Sequence, residues 1–283
     1  MNTKKVTLKV VLVVAAMLLT VNLSAQFSLE KLWETDAELT TPESVLYDAK
    51  TKVLFVSNIG DFQKEGSGSI SKVGLDGKII QNNWITGLTA TKGMGFYKNL
   101  LYAAEQTTVA VIDVTKGEIV QRITIDGAQM LNDITINNKG IVYVSDSRAG
   151  KVHKIENSKP SVYLENLTGI NGLLADGRNL LILSDGKLRE ADSRQNIRTL
   201  SEGIEGGADG IVKIGNGEFI VTGWEGVIYL VRDNGAKMVL SDTREQKINT
   251  ADLGYNPSAK TIYIPTFSTN TVIAYRLREL TRN

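Results

Sequence analysis

Apolar and polar positions alternate along most of this chain in runs of five to seven. That is the two-residue period of half-buried strands, not the 3.6-residue period of helices. Six apolar runs recur after residue 25: VLFVS, LLYAA, IVYVS, LLILS, EFIVT and TIYIP. Each follows a run that opens on a charged or amide residue: ESVLYD from Glu43, KGMGFY from Lys92, NDITIN from Asn132, NGLLAD from Asn171, DGIVKI from Asp209 and DLGYNP from Asp252. These openings recur every 38 to 49 residues. Asp76-Gly77, Asp185-Gly186, Asn216-Gly217, Asn234-Gly235 and the triplet Asn138-Lys139-Gly140 separate the runs and tolerate the positive φ of tight hairpins. A repeat of roughly 40 residues holding several short strands predicts a propeller blade. Six such units predict an all-β, six-bladed β-propeller.

The third unit reads as four strands, NDITIN, IVYVSD, KVHKIE and PSVYLE, and the fifth as DGIVKI, EFIVTG, VIYLVR and KMVLS. The sixth is one strand short, because the chain ends soon after TVIAYRL. A spare strand-like piece, FSLEKLWET, precedes the first unit, and its Phe27, Leu29, Leu32 and Trp33 call for burial. Pairing this N-terminal strand into the last blade closes the ring and covers sheet edges that would otherwise template aggregation.

Residues 1–25 stand apart from the repeat. Lys4, Lys5 and Lys9 precede or flank an apolar stretch from Val10 to Val21, and Ser24-Ala25 offers a small-residue cleavage site. The stretch is shorter than the roughly 20 residues a membrane span needs. The expectation is a signal peptide over 1–25 and a single propeller domain over 26–283, exported to a periplasm or secreted, with no stable membrane anchor after cleavage. The whole chain carries 32 basic and 31 acidic residues, and the segment after residue 25 is slightly acidic. This balance argues against a nucleic-acid groove. Cysteine is absent, which excludes disulfides, thiolate metal sites and a cysteine nucleophile.

In a propeller, residues at equivalent starts of the innermost strands converge at one mouth of the central channel. Here those residues are Glu43, Lys92, Asn132, Asn171, Asp209 and Asp252. Glu43, Asn132, Asn171 and Asp209 form an all-oxygen set suited to a hard divalent cation. Calcium is the first choice, with magnesium, manganese and zinc open. Without a cation, Glu43 and Asp209 would repel each other across a confined channel. The plainer reading of any one Asp or Asn at a strand start is a local bond to turn backbone. Lys92 and Asp252 could pair across the ring or contact a substrate. Asp133 follows Asn132 directly, so alternation sends it towards the neighbouring blade. His153, the sole histidine, falls in the third strand of the third unit, away from the channel, which leaves no Ser-His-Asp triad. The loops over the mouth, 61–69 and 266–270, hold polar and small residues and no recognition motif.

The segments PES around Glu43, LND around Asn132, INGL around Asn171 and ADGI around Asp209 resemble the senescence marker protein/gluconolactonase superfamily of six-bladed propellers, related to diisopropylfluorophosphatase and more distantly to paraoxonase. The resemblance spans nearly all the chain after residue 25. It implies Glu43, Asn171 and Asp209 as metal ligands, and Asn132 as a ligand or substrate contact. It also implies Asp209 as general base or nucleophile in the metal-assisted hydrolysis of a lactone or related ester. The lactonase branch commonly carries an arginine two residues before the blade-three Asn, whereas this chain has Met130. That departure puts a sugar-acid lactone in doubt and opens a less polar substrate, with Asn132, Lys92 and Asp252 as the candidate substrate contacts. The alternative is a non-catalytic binding propeller of the NHL-repeat kind, holding a structural metal.

Overall fold

The computed structural model describes residues 26–280. The expected signal peptide over 1–25 lies outside the described residues. Six four-stranded antiparallel sheets form the blades. Their innermost strands are Pro42–Asp48, Met94–Tyr97, Leu131–Ile136, Leu173–Asp176, Ala208–Gly215 and Gly254–Asn256. The one helical element among the described residues is a single 3-10 turn, Phe267–Thr269. At Asp185-Gly186 both residues take positive φ, 53° and 63°, the conformation a two-residue hairpin needs.

The ring closes as the repeat predicts. The N-terminal strand Gln26–Glu34 pairs antiparallel with Val272–Leu280, completing the sixth sheet. Phe27 and Leu29 pack against the cluster of Ile220, Ile228, Leu253 and Ile262 between blades five and six. Trp33 packs at the seam of blades six and one, beside Leu39, Val45, Val73 and Tyr263. Its ring stacks on Tyr263 at 5.8 Å, and its Nε1 donates to the Leu75 carbonyl at 2.8 Å. Leu32 departs from the expectation. The register slips between Lys31 and Trp33, so Leu32 sits in a bulge and is 36% exposed.

The core lies between blades rather than at the ring axis. Leu181, Leu183 and Leu188 of blade four meet Ile211, Val221 and Tyr229 of blade five, and Phe55 and Ile70 of blade one meet Met94, Leu101 and Ile112 of blade two. Burying each such side chain stabilises by about 1.5–3 kcal/mol. Packing at the seams leaves the axis free for polar chemistry.

Candidate metal centre and active site

Each inner strand leaves its own blade's ladder at its first residues. Register breaks fall between Pro42 and Ser44, between Leu131 and Ile134, and between Ala208 and Ile211. These breaks bracket Glu43, Asn132 and Asp209. In the other three blades the ladder starts two residues beyond Lys92, Asn171 and Asp252. A hydroxyl from the second strand takes up the backbone N–H freed at each break. Ser44 N donates to Ser57 Oγ, Asp133 N to Ser145 Oγ and Gly210 N to Thr222 Oγ1, at 2.8–3.0 Å. The strand starts then turn to one another around the axis. Ser44 bridges Asp252 in parallel, and Gly93 N donates to the Asn132 carbonyl at 3.0 Å.

Glycine permits this approach. A Cβ on Gly210 would lie 2.5 Å from Asp252 Oδ1 and 2.7 Å from Leu253 N, and one on Gly93 would lie 2.5 Å from Asp133 Cα. The Lys-Gly, Asn-Gly and Asp-Gly pairs at residues 92, 171 and 209 therefore place a functional residue beside a close backbone contact.

Glu43, Lys92, Asp209 and Asp252 lie close enough to act on one another's charge, and Asn171 joins them through its bond to Asp209. Glu43, Lys92, Asn132 and Asp209 are buried, while Asn171 and Asp252 keep partial exposure. Burial raises the Glu43 carboxyl well above the usual range, helped by Asp209, Asp252 and Asp133 and opposed by Lys92. Burial also raises Asp209 well above its ordinary value, with Asp252 adding to the effect and the hydrogen bond from Asn171 opposing it. Asp252 is pushed up to about 6 by burial, against the stabilising bond from Ser44 Oγ at 2.5 Å. Burial lowers the Lys92 ammonium, and the Glu43 carboxylate opposes that fall. Lys92 makes no ion pair among the described residues, and its Nζ donates to the Ala90 carbonyl at 3.2 Å.

Asp133 points where alternation sends it. Its Oδ2 accepts from Leu173 N of the neighbouring blade and its Oδ1 from Ile134 N, both at 2.6 Å. Yet it belongs electrostatically to the same centre: burial, then Asp252, raise it well above the carboxylate range. Four carboxylates thus face one lysine. If all were ionised, the negative charges would exceed the positive by three, an arrangement a confined site cannot hold without a further cation or bound protons.

The donor set fits a hard cation. Glu43 Oε2 is buried with no hydrogen-bond partner. The Asn171 amide donates through Nδ2 to Asp209 Oδ1 at 2.5 Å, and the Asn132 amide through Nδ2 to Ser147 Oγ at 3.0 Å. Both amide nitrogens are therefore engaged, which leaves both carbonyl oxygens to act as acceptors. Ser147 of the same blade thus holds the Asn132 side chain, and the Asn132 backbone carbonyl receives Gly93 N. Among the described residues, no three His, Cys, Asp or Glu side chains are grouped tightly enough to hold a metal ion between them. A site here would need the amide oxygens and water as well as the acids.

A cavity of about 300 Å³ reaches Asp133 and Asp252 from the opposite end of the ring, walled by Tyr47, Phe96, Ile136 and Leu174. A larger one, about 620 Å³, lies apart from the channel between blades three and four, beside Tyr143, Tyr163 and Arg178. His153 is buried in the third strand of its blade as expected, 3.6 Å from Asp146. Asp146 in turn accepts from the Gln129 and Met130 backbone, steadying the approach to Asn132.

No protein-family model matches this chain, and no curated protein matches it in sequence. Its fold is shared with solved propellers. A protein provisionally assigned as a gluconolactonase is similar over 90% of this chain and 94% of its own, with TM-score 0.69 and 15% identity. A catalytically inactive histidine-to-alanine variant of virginiamycin B lyase from Staphylococcus aureus, solved with quinupristin, matches over 90% and 100%, with TM-score 0.62 and 11% identity. A chain of a nidogen/laminin complex matches over 74% and 86%, with TM-score 0.64 and 15% identity. At these identities the likeness establishes the propeller fold, in agreement with the short motifs, and leaves the chemistry to the residues of this chain.

Proposed function

We propose that this chain is an exported, divalent-cation-dependent hydrolase of a lactone or related ester, with calcium as the first candidate cation. Glu43, Asn132, Asn171 and Asp209 would hold the cation. The observation that carries the reading is the buried excess of carboxylate at matched repeat positions, with Glu43 Oε2 left without a partner. When bound, a divalent cation supplies Lewis acidity towards the substrate carbonyl oxygen.

The remaining steps fall to this chain's own side chains. A positive charge at the mouth favours ionisation of Glu43 and Asp209, which burial otherwise opposes. Asn171 fixes Asp209 through Oδ1, so Oδ2 is the atom that takes a proton from the attacking water. The water oxygen bonds to the carbonyl carbon, the ring C–O bond breaks, and the proton held on Asp209 passes to the departing alkoxide. Lys92, Asn132 and Asp252 would orient the polar end of the substrate. A lyase that works through a channel histidine is disfavoured, because the sole histidine, His153, is buried in the third strand of its blade, away from the inner-strand starts.

The second reading is a non-catalytic binding propeller with a structural cation. Lys92 favours it, since a buried ammonium beside Glu43 offsets part of the charge a cation would neutralise. A panel of lactones and aryl esters, assayed with calcium, magnesium, manganese and zinc, separates the two. Cation-dependent turnover supports the hydrolase. Cation binding with no turnover on the whole panel supports the binder.

A further inference from the structure

Three aromatic side chains from distant parts of the chain meet at the mouth that holds Glu43 and Asp252. Phe62 is 58% exposed and Trp224 is 40% exposed, while Phe267 lies half-buried between them. The Phe267 ring centroid is 6.2 Å from that of Phe62 and 5.3 Å from that of Trp224, the latter pair edge-on. Their loops belong to three consecutive blades: one, five and six.

Hydrogen bonds fasten each loop to the chain entering an inner strand. Ile59 N donates to the Thr41 carbonyl at 3.0 Å and Gly60 N to the Thr40 carbonyl at 3.1 Å, which anchors the Phe62 loop two residues before Glu43. Thr41 N donates to Asn270 Oδ1 at 2.9 Å, tying the Phe267 loop to the same point. The Trp224 carbonyl accepts from Thr250 N and Asn249 Nδ2, just before Asp252.

Phe267 has φ 49°, a conformation bulky residues rarely adopt. The buried Thr266 and Thr271 hydroxyls hold this turn, through Thr266 Oγ1 to the Thr271 carbonyl at 2.8 Å and Thr271 N to Thr266 Oγ1 at 3.0 Å. A glycine would fit there without strain, so the turn spends stability to present an aromatic ring. The corresponding loops of blades two, three and four carry no aromatic residue and hold Gln106, Arg148 and Asp185 instead.

We infer that Phe62, Trp224 and Phe267 form an apolar wall that selects substrates bearing an alkyl or aryl arm beside the hydrolysed group. The inference rests on the proposed hydrolytic site. It commits the site to amphipathic lactones or esters: the carbonyl end faces the carboxylates and amides, and the arm lies along blades five, six and one.

The test measures binding of γ-butyrolactone, of γ-nonalactone (the same ring with a pentyl arm) and of gluconolactone to the purified protein with calcium, by calorimetry, alongside hydrolysis. The expected result is γ-nonalactone binding about tenfold or more tightly than γ-butyrolactone, since each buried methylene contributes about 0.8 kcal/mol. Combined Phe62→Ser, Trp224→Ser and Phe267→Gly should reduce that ratio to within about twofold. The single Phe62→Ser variant should reduce it partway, and this keeps the test decisive if the triple variant does not fold. The inference is overturned if the wild type shows no arm preference, binds gluconolactone best or binds none of the three. It also falls if the variants keep the preference, or if the wild type is a dimer that the triple variant dissociates, which would make the wall a subunit interface. Arm-dependent binding without hydrolysis would uphold the wall and remove the hydrolase reading.

Discussion

Asn171 Nδ2 donates to Asp209 Oδ1 at 2.5 Å, joining the first residues of two successive inner strands. The bond gives Asp209 a defined orientation and occupies one of its oxygens, while the Asn171 carbonyl oxygen is turned away from it.

Asp209→Asn should therefore abolish hydrolysis, by at least about a thousandfold if Asp209 is both ligand and base. The same change removes a carboxylate whose ionisation burial opposes. The cation-free variant should consequently unfold at the same or a higher temperature than the wild type. Thermal unfolding in chelator, paired with the lactone panel, checks both halves. A variant that loses activity by unfolding contradicts the assignment.

Stability should depend on pH in a direction set by the raised acids. Asp252 moves from its ordinary 3.8 to about 6 in the folded state, so the folded protein holds that proton more tightly than the unfolded chain. The resulting stabilisation is complete below about pH 4 and is lost as pH rises through about 6, at most about 3 kcal/mol for this one group. Glu43, Asp133 and Asp209 shift in the same direction. Urea unfolding in chelator between pH 4.5 and 8 should show stability falling as pH rises. Added calcium should raise the melting temperature more at pH 7.5 than at pH 5, where protons compete for the same oxygens.

Gly210→Ala places a methyl 2.5 Å from Asp252 Oδ1. It should destabilise by about 1–3 kcal/mol through overpacking and should weaken cation binding by displacing the strand that carries Asp209. Unfolding and calcium titration of this variant read the two effects separately.

Trp33→Ala should cost about 2–3 kcal/mol, because its ring closes the seam between blades six and one. Leu32→Ala, at the exposed bulge beside it, should cost less than about 0.5 kcal/mol. Equal losses at the two positions would contradict the closure register.

The contrast between Leu32 and Trp33 marks how far the sequence could be read. Alternation and the spacing of Glu43, Lys92, Asn132, Asn171, Asp209 and Asp252 were enough for the blades and the ring mouth. They are local, periodic signals, and a two-residue period cannot announce a bulge that turns Leu32 outward. Asp133 shows the same boundary: alternation sends it to Leu173 N, but only three-dimensional burial adds it to the acids around Asp252. A signal was present, since Ser44 and Asp133 stand where blades two, four and five have glycine. The aromatic wall had no such signal. Loops 61–69 and 266–270 read as polar and small, whereas Phe62, Trp224 and Phe267 become one surface only when blades one, five and six close the ring.

The most direct test of the cation site is a calorimetric titration of the purified protein with calcium in chelator-stripped buffer, repeated for Glu43→Gln and Asp209→Asn. The expected result is one site per chain, proton release on binding because the raised carboxyls must ionise, a rise in melting temperature, and loss of binding in both variants. Absence of calcium-dependent heat and of any thermal shift in the wild type, with magnesium, manganese and zinc equally silent, would contradict it.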